Sequence, residues 1–439
     1  MKKTMLGLCL ALGLPCMADA APAARRSPPA AAPLPFDAPG ARTLALVGGT
    51  IEIGDGTRIE GGVVEISGTR IVRVLGPEAA GSLASDTERL DVSGKIVTPG
   101  FIAAATPLGL TEIGAEQSSN DDARDDGELV RAAYDAAPAI NAASVLLPVQ
   151  AIDGITSAAV TPNGGLFSGQ VAWIDLVAGD HRTIVARPRV AAMAHLGKAY
   201  AGSRAATLAK MREILDDARF HRTRADAFDR RQTRDLVAHR LDLEALQPVL
   251  AGQAPLVVSA HRASDILALV ELARTYGMKV VLVGGAQAWQ VADVLAEARI
   301  PVIVQPSQNL PGSFDTIGAR FDNAALLHAA GVEVGIAVLG EAHNVRNVKQ
   351  EAGIAVAHGL DRAAALRGVT LTLARAYGMD SSYGSLTEGK VANLVVWDAD
   401  PFELSSVPSL VFIRGESIPL TSRQTLLRDR YRPRTRSGT

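Results

Sequence analysis

Three histidines and a glutamate stand at the ends of β-rich runs in this 439-residue chain. His195 closes the run in "PRVAAMAHLG", His261 closes "APLVVSAH", and Glu341 and His343 follow "VEVGIAVLG". Imidazole nitrogens and a carboxylate are zinc ligands, so three of the first and one of the second, brought to one point, could hold a metal and lower the pKa of a bound water. Each residue also has an ordinary role, because strand-end histidines in a polar rim are commonly surface or hydrogen-bonded groups. Ser259 lies two residues before His261 and shares its side of an extended strand. That alignment sets no specific base pair, and no orienting Asp accompanies it, so a serine triad is not indicated.

Two other stretches carry chemistry-bearing residues. "TPNGGLFSGQ" has three glycines but lacks the Gly-Lys-Ser/Thr of a phosphate loop, and reads as turn geometry that could cover a pocket. The acidic run "NDDARDDGE" starts a calcium-loop frame at Asp122, yet that frame puts Ala133 where a bidentate Glu is needed. It reads as a solvated loop.

The elements that must position these residues follow from composition and pattern. With 48% hydrophobic residues the chain can bury a large core. The first twenty residues, "MKKTMLGLCLALGLPCMADA", have the basic start, short apolar run and small-residue end of a Sec signal peptide cleaved after Ala20. Cys16 follows Leu14 and Pro15 rather than small residues, which argues against a lipid anchor. Both cysteines, Cys9 and Cys16, fall in the removed segment, so a metal in the mature chain would need His, Asp or Glu. Cleavage takes away two Lys and one Asp, moving the formal charge from −2 to −3, which disfavours nucleic acid as a partner. No later apolar run has the length of a membrane span, and a periplasmic location is expected.

Residues 21–41 are an Ala/Pro-rich tether. Residues 42–97 alternate in strand fashion around "GDGT" and "SGTR" turns and form the first part of a small β-sandwich. From residue 98 to 384, short β-rich runs alternate with helical stretches, the pattern of a parallel α/β fold. The number of runs points to a (β/α)8 TIM barrel, with a doubly wound sheet as the alternative. "ASDILALVELARTYG" has helical apolar spacing and a Gly stop, and residues 203–247 hold two charge-dense helices with a solvated face. Residues 385–425 return to strand composition as the second part of the sandwich, and 426–439 form a C-terminal tail.

Four motifs in order, "SGKIVTPGFI", "DGITSAAVTPNGGLFSGQVAWI", "VVSAHRASDILALVELA" and "GSLTEGKVANLVVWDADP", resemble those of the amidohydrolase superfamily, in its imidazolonepropionase-like branch. The resemblance spans the whole mature chain and implies a TIM barrel carrying a β-sandwich built from both chain ends. It also implies a zinc or other divalent ion held at the strand ends and hydrolysis of C–N bonds other than peptide bonds. The family's His-x-His after the first barrel strand falls on Ala105 and Pro107, and its preceding Asp on Ala103. The family's fifth-strand His falls on Ser259, with a second, non-ligand His kept as His261. The sixth-strand His falls on Gly284, and the eighth-strand Asp on Leu339 or Gly340.

None of the residues at the family's ligand positions, Ala103, Ala105, Pro107, Ser259, Gly284 and Leu339 or Gly340, carries an imidazole, carboxylate or thiolate. A metal lowers the pKa of water from 15.7 to about 7, and forgoing roughly 8 units at about 1.36 kcal/mol each removes on the order of 11 kcal/mol of nucleophile activation. The resemblance therefore points to a degenerate member without a metal cofactor, acting as a binding or regulatory module with a small-molecule ligand at the barrel mouth. The alternatives are an active C–N hydrolase of cyclic amides or dipeptide-like substrates using a relocated site of His195, His261, Glu341 and His343, and an assembly partner, either of itself or of an active relative. No nucleic acid and, after cleavage, no membrane are expected as partners. N-terminal sequencing of the protein from a periplasmic fraction is expected to begin at Ala21; material beginning at Met1 would refute the export signal.

Overall fold

The structure is a computed structural model that describes Leu34, residues 43–123 and residues 127–432. The signal-peptide reading of residues 1–20 lies outside the described residues. The alternating residues after position 42 form β1 (Thr43–Glu52), β2 (Arg58–Ser67), β3 (Arg70–Leu75), β4 (Glu88–Asp91) and β5 (Ile96–Pro99). β1 and β2 pair antiparallel across the "GDGT" turn. There Gly54 and Gly56 adopt φ of 94° and 106°, and the Asp55 carboxylate accepts the Thr57 amide at 2.8 Å. Only glycine enters that backbone region without a Cβ penalty.

The chain then enters a second sheet through β6 (Phe101–Thr106), β7 (Ile155–Val160), β8 (Phe167–Asp175), β9 (Val185–His195), β10 (Leu256–Ala260), β11 (Val280–Gly284), β12 (Val302–Val304) and β13 (Val334–Ile336). These eight strands pair in chain order. The sheet curls, and the Gly340 amide beyond β13 donates to the Ala105 carbonyl on β6 at 2.9 Å, joining the last strand's extension to the first. The fold is the expected barrel-type α/β architecture, with one departure from eight parallel strands: β8 runs antiparallel to both β7 and β9.

The short apolar strands are buried on both sides, as a helix-covered barrel requires. Val257, Val281, Val283 and Ile303 face an inner cluster with Trp173, whereas Val258, Leu282, Val302 and Val304 pack outward against helix residues such as Leu269, Leu295 and Leu327. The helix Ala263–Tyr276 ends at Gly277, which takes the left-handed conformation at φ 66°, in agreement with the Gly stop in its sequence. In the charge-dense region one long helix, Arg204–Asp229, buries Met211, Ile214, Leu215 and Ala218 at helical spacing and leaves most of its charges outward, apart from the buried Asp217, which accepts from Arg234 and the Val237 amide; two short helices follow within 240–250. Leu34, the single described residue of the Ala/Pro-rich tether, is 5% exposed and packs with the inner barrel cluster. At that position the tether has something to bury.

The last strands, β14 (Leu394–Trp397), β15 (Pro408–Ile413) and β16 (Glu416–Ser417), return to the first sheet, where β14 pairs with β5. Both chain ends thus share one eight-stranded sheet. A buried polar network locks that sheet to the barrel. Asp175, fully buried at the end of β8, accepts hydrogen bonds from Ser157 Oγ (2.8 Å), Asn393 Nδ2 (2.8 Å), Tyr383 Oη (3.0 Å) and Arg414 Nε (2.8 Å). The Arg414 guanidinium also donates to the Thr183 hydroxyl and carbonyl, at 2.7 and 2.6 Å. Removing one partner of such a pair leaves an uncompensated buried charge. Arg414→Met is expected to destabilise the protein by about 3 to 5 kcal/mol in denaturant titration, with the slope of the transition unchanged.

Candidate functional site

The C-terminal ends of the barrel strands enclose a mouth of about 240 Å3 lined by residues from six strand ends. On β6, Ile102 and Ala104 face the inner cluster and Ala103 the outer one, as simple alternation requires. Ala105 breaks the pattern. Its φ of 50° turns it inward as well, so that Ala105 and Pro107 both line the mouth while Ala103 is packed away from it. Leu339 and Gly340 close the same rim from beyond β13, and the Leu339 amide donates to Gln305 Oε1 at 3.0 Å.

Adjacent strands contribute the imidazoles. His195 at the end of β9 is paired in register with Ser259 on β10, and both residues line the mouth together with His261. The Nε2 of His195 is 2.9 Å from the buried Ser168 hydroxyl at the start of β8, and its ring stacks on Tyr200 at 5.2 Å. Burial among these groups pushes His195 down to about 4, so its ring is neutral near pH 7. His261 is also pushed below its ordinary value by burial, against the opposing pull of Asp315 and Asp265. Its Nδ1 is buried with no hydrogen-bond partner among the described residues.

The place of the His261 ring is set by Gly284. A Cβ built at that glycine would lie 2.5 Å from His261 Cε1 and 2.9 Å from Nδ1, closer than real Cβ atoms approach. The imidazole therefore fills the volume that a side chain at 284 would use, and a φ of 93° makes that position strained for any other residue.

The four residues of the alternative cluster are not brought together in the mouth. His195 and His261 line it, whereas Glu341 and His343 are exposed and lie outside its lining. Their backbones serve other contacts: Thr106 Oγ1 donates to the Glu341 carbonyl at 2.6 Å, and Gln150 Nε2 to the His343 carbonyl at 2.9 Å. Among the described residues, no group of three or more His, Cys, Asp or Glu side chains is placed to hold a metal ion. The mouth lining holds two imidazoles and the Asp122 carboxyl among aliphatic side chains, amides and hydroxyls, but these three are not gathered at one point, so the arrangement does not fit a zinc centre that requires three or four converging ligands.

Asp122, Thr161, Asn163, Met193 and Gln308 also line the mouth and were not singled out there by the sequence reading. The described part of the acidic run is not purely solvated: Asp122 borders the pocket, its carbonyl accepts the Asn163 amide at 2.7 Å, and burial raises its carboxyl above the ordinary range. Residues 124–126 of that run lie outside the described residues. The Gly-rich loop does cover the pocket, through Thr161, Pro162 and Asn163. The available signal was positional, since polar loop residues directly after a barrel strand stand over the C-terminal face.

Residues 253–418 match the amidohydrolase family. By shape, the chain is similar to an amidohydrolase from Thermotoga maritima MSB8, with a TM-score of 0.75 at 22% identity, covering 85% of this chain and 99% of that one. The chain has the amidohydrolase fold. A structure of molinate hydrolase is also similar to this amidohydrolase-like chain, with a TM-score of 0.55 at 16% identity over 91% of this chain and 99% of the other. In sequence, 179 residues are 26% identical to the amidohydrolase tasK of Hapsidospora irregularis, which is 40% of this chain. The matched stretch spans only 18% of that relative's length.

The buried neutral imidazole links the mouth to stability. The unfolded chain protonates His195 near 6.5, but the folded protein resists until about 4. As pH falls the unfolded state takes the proton first, so this contribution is intact above about 6.5 and is lost on the way down to about 4. In urea unfolding at stepped pH, His195→Gln is expected to remove about 3 kcal/mol of the stability change across that window. An unchanged profile would show that His195 titrates normally.

Proposed function

We propose that this amidohydrolase-like chain is a binding protein of the cell envelope, whose barrel mouth takes up a small neutral ligand and does not run metal-dependent hydrolysis. The observation that carries this reading is the His261 ring seated in the volume beside Gly284. A metal-binding mouth needs side chains projecting from several strand ends toward one point. Here the strand ends offer Ala105, Pro107, Gly284, Leu339 and Gly340, and one of the two imidazoles has folded back into the space opposite a glycine.

What remains is a pocket lined mainly by uncharged hydrogen-bonding groups, with the Asp122 carboxyl, which burial raises above the ordinary range, as its one acid among the described residues. Burial favours the neutral forms of His195 and His261, each then offering one donor and one acceptor nitrogen. Thr161, Asn163, Ser259 and Gln308 add hydroxyls and amides, and Met193, Val283 and Leu339 supply an apolar wall. The volume of about 240 Å3 lies below the range of about 300–1,000 Å3 usual for drug-sized ligands, which favours a small amide or a comparable uncharged polar molecule. The signal-peptide pattern supports action outside the cytoplasm.

The test pairs elemental analysis with activity. Protein purified without a metal-binding tag is expected to hold no stoichiometric metal, and to show no chelator-sensitive hydrolysis of amide, lactam or dipeptide substrates with or without added zinc or manganese. A single tightly held metal per chain, with activity abolished by His261→Ala and untouched by Ser259→Ala, would overturn the binding-protein reading.

A further inference from the structure

The opposite end of the barrel carries a second and larger cavity, of about 810 Å3. Lys279, Pro301 and Glu333, which directly precede β11, β12 and β13, line it, as do Arg187 and Arg189 early in β9. Six cations, Arg187, Arg189, Arg274, Lys279, Arg299 and Arg375, face the cavity against one carboxylate, Glu333. Three of them have ion-pair partners: Arg189 with Asp135 at 2.7 Å, Arg274 with Glu297 at 3.3 Å, and Arg375 with Glu333 at 3.2 Å. Arg187, Lys279 and Arg299 make no ion pair among the described residues, in a chain whose formal charge is −2. Val190, Val281, Tyr377 and Met379 give the cavity an apolar, buried lining.

The backbone supplies an independent observation. Arg189 and Arg299 both occupy the left-handed region, at φ of 53° and 54°, and both line this cavity. A side chain with a Cβ adopts that conformation at a cost that glycine avoids; at Arg299 the same conformation also caps the helix Ala292–Glu297, with the Arg299 amide donating to the Ala296 carbonyl at 3.0 Å. Like charges gathered on a concave, low-dielectric wall also repel one another and draw in counter-ions.

We propose that this cavity binds a small organic polyanion, one carrying two or more phosphate or carboxylate groups on a compact body. Guanidinium forks match both oxyanions, the apolar lining accommodates the body, and the volume lies within the range of small-molecule sites. The site is separate from the barrel mouth and does not rest on the reading of that mouth.

The test is calorimetric titration and thermal melting of the mature chain with tripolyphosphate and with citrate at matched ionic strength. Saturable binding with a raised Tm, weakened by salt, is expected for at least one of the two, and the preferred probe identifies the oxyanion. Arg187→Gln, Lys279→Gln and Arg299→Gly together should weaken binding at least tenfold. Arg299→Gly alone should raise the Tm of the unliganded protein while weakening binding, which separates loss of the site from loss of the fold. His261→Ala should leave the affinity unchanged, distinguishing this cavity from the mouth. Absence of saturable binding to both probes at millimolar concentration, or undiminished binding by the triple variant, would overturn the proposal.

Discussion

Asp175 is the constraint on which the arrangement rests. A fully buried carboxylate is tolerated only when its lone pairs are satisfied, and here four donors converge on it from Ser157, Asn393, Tyr383 and Arg414. Two of these donors, Asn393 and Arg414, belong to the returning C-terminal segment. The barrel and the sheet made from both chain ends therefore meet in one geometry, because any displacement would strand a charge. The Arg414 backbone accepts a left-handed φ of 55° within this network.

Strand β8 extends that constraint to the mouth. Its last residue is Asp175, and near its first is Ser168, whose hydroxyl meets His195. At about 3.3 Å per residue a nine-residue strand spans the depth of the barrel. One antiparallel strand thus anchors the accessory sheet at one end and orients an imidazole at the other.

The two ends of the barrel have opposite electrostatic character. The mouth is small, with imidazoles that burial favours in neutral form and rims made of Ala, Pro, Gly and Leu. The cavity at the N-terminal ends is larger and crowded with cations. A barrel keeps these properties apart because its side-chain-filled interior, with the Trp173 ring tilted against those of Tyr377 and Tyr383, separates the two faces.

Much of this was legible in the sequence, because much of it is local. Alternation in β1 and β2, the glycines of their turn, the helix stop at Gly277 and the strand–helix rhythm each depend on neighbours a few residues apart. The order of four motifs pointed to the barrel, and Ser259 and His261, two residues apart in sequence, both line the mouth. Other features were settled only in three dimensions. Glu341 and His343 follow a strand end as His195 and His261 do, yet lie outside the mouth, since the chain beyond β13 turns away once Gly340 bonds to Ala105. Asp122 reaches the mouth because its loop packs on a loop forty residues later. The His261 ring meets Gly284 only because parallel β10 and β11 pair Ala260 with Gly284. Spacing along a strand determines which side a residue faces; which residue meets it there depends on strand register and loop packing between distant segments, and those contacts form only when the barrel closes.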